Sequence, residues 1–217
     1  MASVEVFADI VQGTEEWHKL RLGIPTASNF GHILAKGEGK VRTTYLHKLA
    51  GERITGVPAE NYTNPYMERG KALEDEARKY YALMTDTDPV QVGFARNGGI
   101  GCSPDALIGD DGILEIKTVS PHLLIPILKA DKFPPEHRPQ CQGGLLVTER
   151  QWVDLILYYP GFPAFIKREY RVDAYLAGLR QAIGEFQAEL DALVAWLENY
   201  APARPLGLRD ALTGSLA

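Results

Sequence analysis

The chain has 217 residues, 45% hydrophobic and 24% charged, with a net charge of −5. That length and mix fit one large α/β-type globular domain, and no stretch approaches the ~18 apolar residues of a membrane span. The acidic balance argues against a wholly basic nucleic-acid-binding surface but leaves room for a local basic groove.

The N-terminal MASVEVFADI lacks the basic start and apolar run of a secretory signal, so a soluble, cytoplasmic protein without membrane association is expected. EEWHKLRLGIPTASNFGHIL (15–34) reads as short helical pieces around a turn at Gly23-Ile24-Pro25, with Ser28 as the cap of the second piece. KGEGKVR (36–42), glycine-rich and basic, reads as a mobile surface loop. Residues 43–55 look helical. PYMERGKALEDEARKYYALM (65–84) places Ala72, Ala77, Tyr80, Tyr81 and Met84 at helical spacing, with charges opposite. The period then changes: VQVGFARNGGIGCSPDALIGDDGILEIKTV (90–119) has short apolar runs broken by NGG and DDG, a pattern of strands joined by hairpins. KFPPEHRP leads into QCQGGLLVTE, expected as a buried helix despite two glycines, and WVDLILYYPG and FIKREYRV read as strands. A long amphipathic helix runs from Asp173 to about Tyr200, and 201–217 reads as a loosely ordered or subunit-docking tail. The order predicts an α+β fold with a mixed central β-sheet flanked by helices. Cys102 and Cys141 are expected as reduced core residues, and the five histidines lack the paired spacing of structural zinc.

The chemistry concentrates in CSPDALIGDDGILEIKT. Alternate residues of a strand share a face, so Glu115 and Lys117 project together while Leu114 and Ile116 turn to the core. The DDG hairpin brings Asp105 alongside Glu115. Two carboxylates and a lysine on an apolar sheet suit a hard divalent cation and a phosphate: carboxylate oxygens bind the ion, which activates a water, and the lysine steadies developing charge. An exposed Glu115–Lys117 pair is the alternative, worth at most ~1 kcal/mol. The apolar flanks favour the first reading, because buried charge without partners is expensive. Glu74, in ERGKALEDEA, is a third acid for such a site, or part of a solvated helix face with Glu68, Asp75 and Glu76.

These blocks resemble the phage lambda exonuclease, or YqaJ-type viral recombinase, branch of the PD-(D/E)xK nuclease superfamily. EEWHKLRLGIPTAS resembles its N-terminal block, MERGKALEDEARKYY its G-K-x-x-E helix, and CSPDAL with LEIK its active-site hairpin. RPQCQGGLLVTERQWVDLILYYPG resembles its glutamine helix and the strand after it. The resemblance spans about residues 15–161 and implies a restriction-endonuclease-like core in a single domain, 1–217. It implies Asp105, Glu115 and the carbonyl of Ile116 as ligands of Mg²⁺ (or Mn²⁺), Glu74 completing the acidic cluster, and Lys117 as the catalytic lysine. It also implies that Arg21, Ser28, Ser103 and Gln142, or the neighbouring Gln140, bind a terminal 5′-phosphate. By themselves Arg21 reads as a surface arginine and Ser28 as a helix cap. The implied activity is 5′→3′ digestion of one strand of linear double-stranded DNA to mononucleotides, leaving 3′ overhangs. A homotrimeric ring and a phage single-strand annealing protein as partner come from the resemblance alone. The alternatives are an end-independent endonuclease of the same fold and a non-catalytic DNA-binding protein.

Overall fold

Helices and strands fall where the period of the sequence places them, with three additions that the patterns left unassigned. The computed structural model of the chain describes residues 3–35, 39–59 and 65–200, with 65–72 described by backbone alone. In chain order the elements are β1 (Val4–Phe7), α1 (Glu15–Arg21), α2 (Phe30–Leu34), α3 (Lys40–Thr55), α4 (Pro65–Thr85), β2 (Pro89–Val90), β3 (Phe94–Asn97), β4 (Ile100–Cys102), β5 (Ala106–Ile108), β6 (Gly112–Thr118), α5 (Pro121–Ala130), α6 (Arg138–Thr148), β7 (Trp152–Tyr158), β8 (Phe165–Tyr170) and α7 (Asp173–Glu198). The additions are β1, β2 and α5. The first two are edge strands of four and two residues, too short for a hydrophobic period to announce them.

Two sheets form rather than one. A small antiparallel sheet has the order β1-β3-β4, and a five-stranded sheet has the order β2-β5-β6-β7-β8. In the larger sheet only β6 and β7 run parallel, with antiparallel neighbours on both sides. The expected mixed sheet and α+β class are therefore what the chain adopts. NGG turns β3 into β4 and DDG turns β5 into β6, as expected, yet the two hairpins belong to different sheets. The three residues between them, Ser103 to Asp105, cross from one sheet to the other.

Strand alternation sorts the core into layers. On one face of the large sheet, Leu114, Ile116 and Ile156 pack with Ala77 and Tyr81 of α4. On the other, Ile113 and Val153 pack with Cys141 and Leu145 of α6, and Leu155 and Leu157 pack with Leu124 of α5. A further core joins α2, α3, α6 and α7 to the small sheet. α6 lies between these cores, and its seven residues Cys141–Val147 are all buried. Its glycines explain how it gets so close: a Cβ on Gly143 would meet the Phe30 ring at 2.4 Å, and one on Gly144 would meet Ile113 Cδ1 at 2.7 Å. Both cysteines are buried and unpaired with each other.

α4 is pinned to the sheet by polar contacts as well. The Tyr81 hydroxyl donates to Asp154 Oδ2 at 2.6 Å, and Arg168 donates twice to the same carboxylate at 2.8 Å. Arg168 also stacks on Trp152, 3.5 Å from its centroid. Tyr158 donates to Glu76 at 2.6 Å. The charge-assisted bonds satisfy an Asp154 that is only 3% exposed, which burial alone would not tolerate.

Two local expectations need correction. Residues 40–42 open α3 rather than a loop, and Arg42 donates through both terminal nitrogens to Glu189; residues 36–38 lie outside the described residues, as does 201–217. Ser28 does not cap a helix. It sits inside a short 3-10 turn, Ala27–Asn29, whose capping position is Thr26, and its hydroxyl lies by Thr26 Oγ1 and Asn29 Nδ2. Among the described residues no helix is long and apolar enough to cross a membrane.

Candidate active site

The site grows from the seam between the two sheets. Asp105 sits at the bend before β5. Its amide donates to the Leu114 carbonyl at 3.1 Å, and its Oδ2 accepts from the Ile116 amide at 2.5 Å. Both bonds hold the carboxylate against the edge of β6. Within a strand, the N–H and C=O of one residue leave on the same edge, so the Ile116 carbonyl exits on the Asp105 side. Glu115 and Lys117 project from the opposite face to Leu114 and Ile116, as alternation required. Lys117 Nζ lies 2.6 Å from Glu115 Oε1, and Glu115 is 6% exposed. The pair is therefore not the exposed surface bridge of the alternative reading.

The electrostatics are those of crowded acids. Burial, then the charges of Glu115 and Glu74, push Asp105 well above the usual carboxylate range, against the pull of the Ile116 amide and Lys117. For Lys117 burial acts to lower the pKa, but Glu115 and Asp105 outweigh it and hold the ammonium above its usual range. Glu74 is also raised, chiefly by burial. It stands on α4, which covers the other face of the sheet, and Arg78 donates to it at 2.7 Å. The same guanidinium reaches the Asp105 carbonyl at 3.3 Å. Glu74 is thus near enough to repel Asp105 but is drawn onto Arg78. Among the described residues no three His, Cys, Asp or Glu side chains gather as a metal cluster, and Glu74 is paired with Arg78. Asp105, Glu115 and the Ile116 carbonyl still make an all-oxygen donor set, with crowded carboxylates that a hard divalent cation would relieve.

A cleft of about 180 Å³ joins this cluster to a second group of residues. Asp105, Glu115, Lys117 and Gln140 line it, and so do Arg21, Ser28, Ser103 and Trp17. The second group comes together because the Gly23–Ser28 segment is tied down at several points. Glu52 accepts from the Gly23 amide at 2.9 Å, and the Tyr45 hydroxyl accepts from the Thr26 amide at 3.1 Å. The Gly101 amide donates to the Pro25 carbonyl at 3.0 Å, stitching the segment to β4. Arg21 then donates to Ser103 Oγ at 3.1 Å. No carboxylate pairs with Arg21 among the described residues, and burial lowers its pKa, so its charge is left for an anion to neutralise.

The two glutamines separate. Gln140 lines the cleft, and its amide donates to Glu115 Oε1 at 2.5 Å. Gln142 is fully buried on the far side of α6, donating to the Tyr170 carbonyl at 2.8 Å and accepting from the Val172 amide at 3.1 Å. Two residues along a helix is about 200° of rotation, so the two face apart. The assignment of Gln142 to the cleft is corrected to Gln140. Sequence reasoning had no role for Arg78, for Gln12, which lines the cleft and donates to the Val92 and Pro104 carbonyls, or for Asp154. A polar residue inside an apolar strand, as in WVDLIL, was the available signal for the last.

With this geometry in hand, comparison with known proteins is decisive. The profile of the YqaJ-like viral recombinase domain matches residues 16–151. The chain belongs to that family. The alkaline exonuclease LHK-Exo from Laribacter hongkongensis is 34% identical, over 85% of this chain and 96% of its own, with TM-scores of 0.79 in complex with dAMP and 0.77 in a second structure. A phage-related exonuclease from Haemophilus somnus 129PT shares the fold at 14% identity and a TM-score of 0.62, over 83% of this chain and 99% of its own. No protein of curated function matches the sequence. The restriction-endonuclease-like α+β core is thus the family's core.

Proposed function

We propose that this member of the YqaJ-like family is a 5′→3′ exonuclease on linear double-stranded DNA, releasing mononucleotides from one strand and leaving 3′ overhangs for annealing. That it is a DNA-degrading hydrolase follows from the family; the polarity and end preference are our reading. One observation carries it: a single cleft holds the Asp105–Glu115–Lys117 cluster and, beside it, Arg21 with Ser28 and Ser103. A terminal 5′-phosphate held by Arg21 and the two hydroxyls sets the next phosphodiester against the carboxylates. A terminal-phosphate pocket next to the chemistry favours an end-dependent enzyme over an endonuclease. LHK-Exo in complex with a deoxynucleoside 5′-monophosphate, dAMP, fits a product of that kind.

Asp105, Glu115 and the Ile116 carbonyl would hold Mg²⁺, with Mn²⁺ as substitute, and Glu74 would join by releasing Arg78 or through water. The ion would polarise the scissile phosphate and lower the pKa of the attacking water. Lys117 holds its positive charge beside Glu115, where it orients that water and offsets the charge that grows on the phosphate. Gln140 keeps Glu115 in place through its amide. We take residues 1–217 as one domain, working in the cytoplasm as a homotrimer alongside a single-strand annealing protein.

The test compares linear duplex bearing a 5′-phosphate, linear duplex bearing a 5′-hydroxyl, and covalently closed circles, in Mg²⁺ and in chelator. Wild type is expected to consume the phosphorylated linear DNA and spare the circle, and Lys117→Ala to digest neither DNA. Cleavage of the closed circle would overturn the exonuclease reading. A monomer by light scattering at working concentration would overturn the trimer.

A further inference from the structure

The hydrogen-bond inventory of Ser103 points to a residue with no assigned role. Two donors converge on its hydroxyl oxygen: Trp17 Nε1 at 2.9 Å and Arg21 Nη1 at 3.1 Å. An indole N–H and a guanidinium N–H can only donate, so Ser103 Oγ accepts both, and a hydroxyl has two lone pairs and one hydrogen. Its acceptor capacity is therefore filled, and its own O–H must donate. Among the described residues no acceptor takes that hydrogen, while Ser103 lines the cleft. The hydroxyl is turned into an obligate donor facing the ligand.

Trp17 does this from a fixed position. Its indole N–H is shared with the Gly93 carbonyl at 3.1 Å, and Thr14 Oγ1 accepts from its amide at the start of α1. Arg21, one helical turn on, sits over the indole ring with its guanidinium carbon 3.9 Å from the centroid, which restrains a side chain that would otherwise sample many rotamers. One side chain thus aims the guanidinium and the hydroxyl together.

We propose that Trp17 is a positioning residue for selection of phosphate monoester ends: it makes the Arg21–Ser103 corner donor-only, so that an oxygen-rich terminal anion satisfies it and a terminal hydroxyl, itself needing an acceptor, does not. This rests on the phosphate-end reading above. The readout is the ratio of kcat/KM on 5′-phosphate to 5′-hydroxyl linear duplex in Mg²⁺. Trp17→Phe removes the N–H and keeps a smaller aromatic ring for Arg21 to pack on. The ratio is expected to fall about tenfold, mainly through KM on phosphorylated ends, the scale of one hydrogen bond to a charged ligand. In a Ser103→Ala background the same substitution is expected to change the ratio no further. A ratio that Trp17→Phe leaves at the wild-type value overturns the proposal, as does full additivity with Ser103→Ala. Should Trp17→Phe not fold, Ser103→Ala alone carries the test, and an unchanged ratio there also overturns it. A wild-type ratio near one would instead defeat the phosphate-end reading itself.

Discussion

Replacing Lys117 by Met separates the lysine's charge from its packing. Its ammonium is 2.6 Å from a carboxylate oxygen, with Lys117 33% and Glu115 8% exposed at the side chain. At an effective dielectric of about 20 the direct attraction is about 6 kcal/mol, an upper bound before desolvation. Screening of the partly exposed ammonium and relief of its own desolvation bring the net loss to about 2–3 kcal/mol. For a chain of this size that is a fall in Tm of about 4–12 °C in chelator. Glu115 and Asp105 then share a buried corner without their nearest cation, so they should bind Mg²⁺ more tightly than wild type. At a hundredfold excess over Kd, binding stabilises by about 2.7 kcal/mol, and the variant, with its lower Kd, gains more. The gap in Tm between variant and wild type should therefore narrow on adding Mg²⁺, while kcat stays down by about 10²–10³-fold, as when one preorganised electrostatic donor is lost. Calorimetry in chelator and in Mg²⁺, with digestion of linear duplex alongside, measures both. A gap that is the same in both buffers would refute the idea that the lysine stands in for the ion.

Three other outcomes follow from the contacts. Gln142→Ala should strip partners from Tyr170 and Val172 and lower Tm by about 2–6 °C with kcat kept, whereas Gln140→Ala should lower kcat at least about tenfold with little change in Tm; the reverse pattern would put the wrong glutamine in the cleft. Asp105 and Glu74 have raised folded pKa values, so their stabilisation is complete below the ordinary carboxylate pKa and is lost as pH rises through the raised values. The gain in Tm from Mg²⁺ should accordingly grow across that window, and a gain independent of pH would count against these acids as ligands. Arg168→Ala leaves the buried Asp154 with the Tyr81 hydroxyl as its remaining hydrogen-bond partner among the described residues, and Arg168 is 39% exposed; a loss of about 2–4 kcal/mol is expected, and a thermal scan within about 2 °C of wild type would disprove it.

Much of the site was legible along the chain because strand alternation is local. ILEIK says by its own spacing that Glu115 and Lys117 share a face, and the DDG turn says that Asp105 returns beside them. Helix periodicity likewise placed α4 and α7. Gln140 and Gln142 could not be told apart in this way. From Cys141 to Val147 α6 is buried all round, so that stretch carries no polar face to orient it, and packing of Gly143 on Phe30 and Gly144 on Ile113 sets its rotation. Glu74 was readable as an acid on a helix, but its capture by Arg78 depends on how α4 crosses the sheet.

The sequence by itself determined the strand and helix periods, the apolar setting of the acids and the family blocks, since all of these are properties of neighbours along the chain. Tertiary structure alone decided that two hairpins enter different sheets, so that Ser103 meets Arg21 beside the acids at the seam. It also decided that the Ser103 hydroxyl is filled from behind by Trp17 and Arg21. Those outcomes depend on contacts between residues more than eighty positions apart, for which spacing within a segment holds no information.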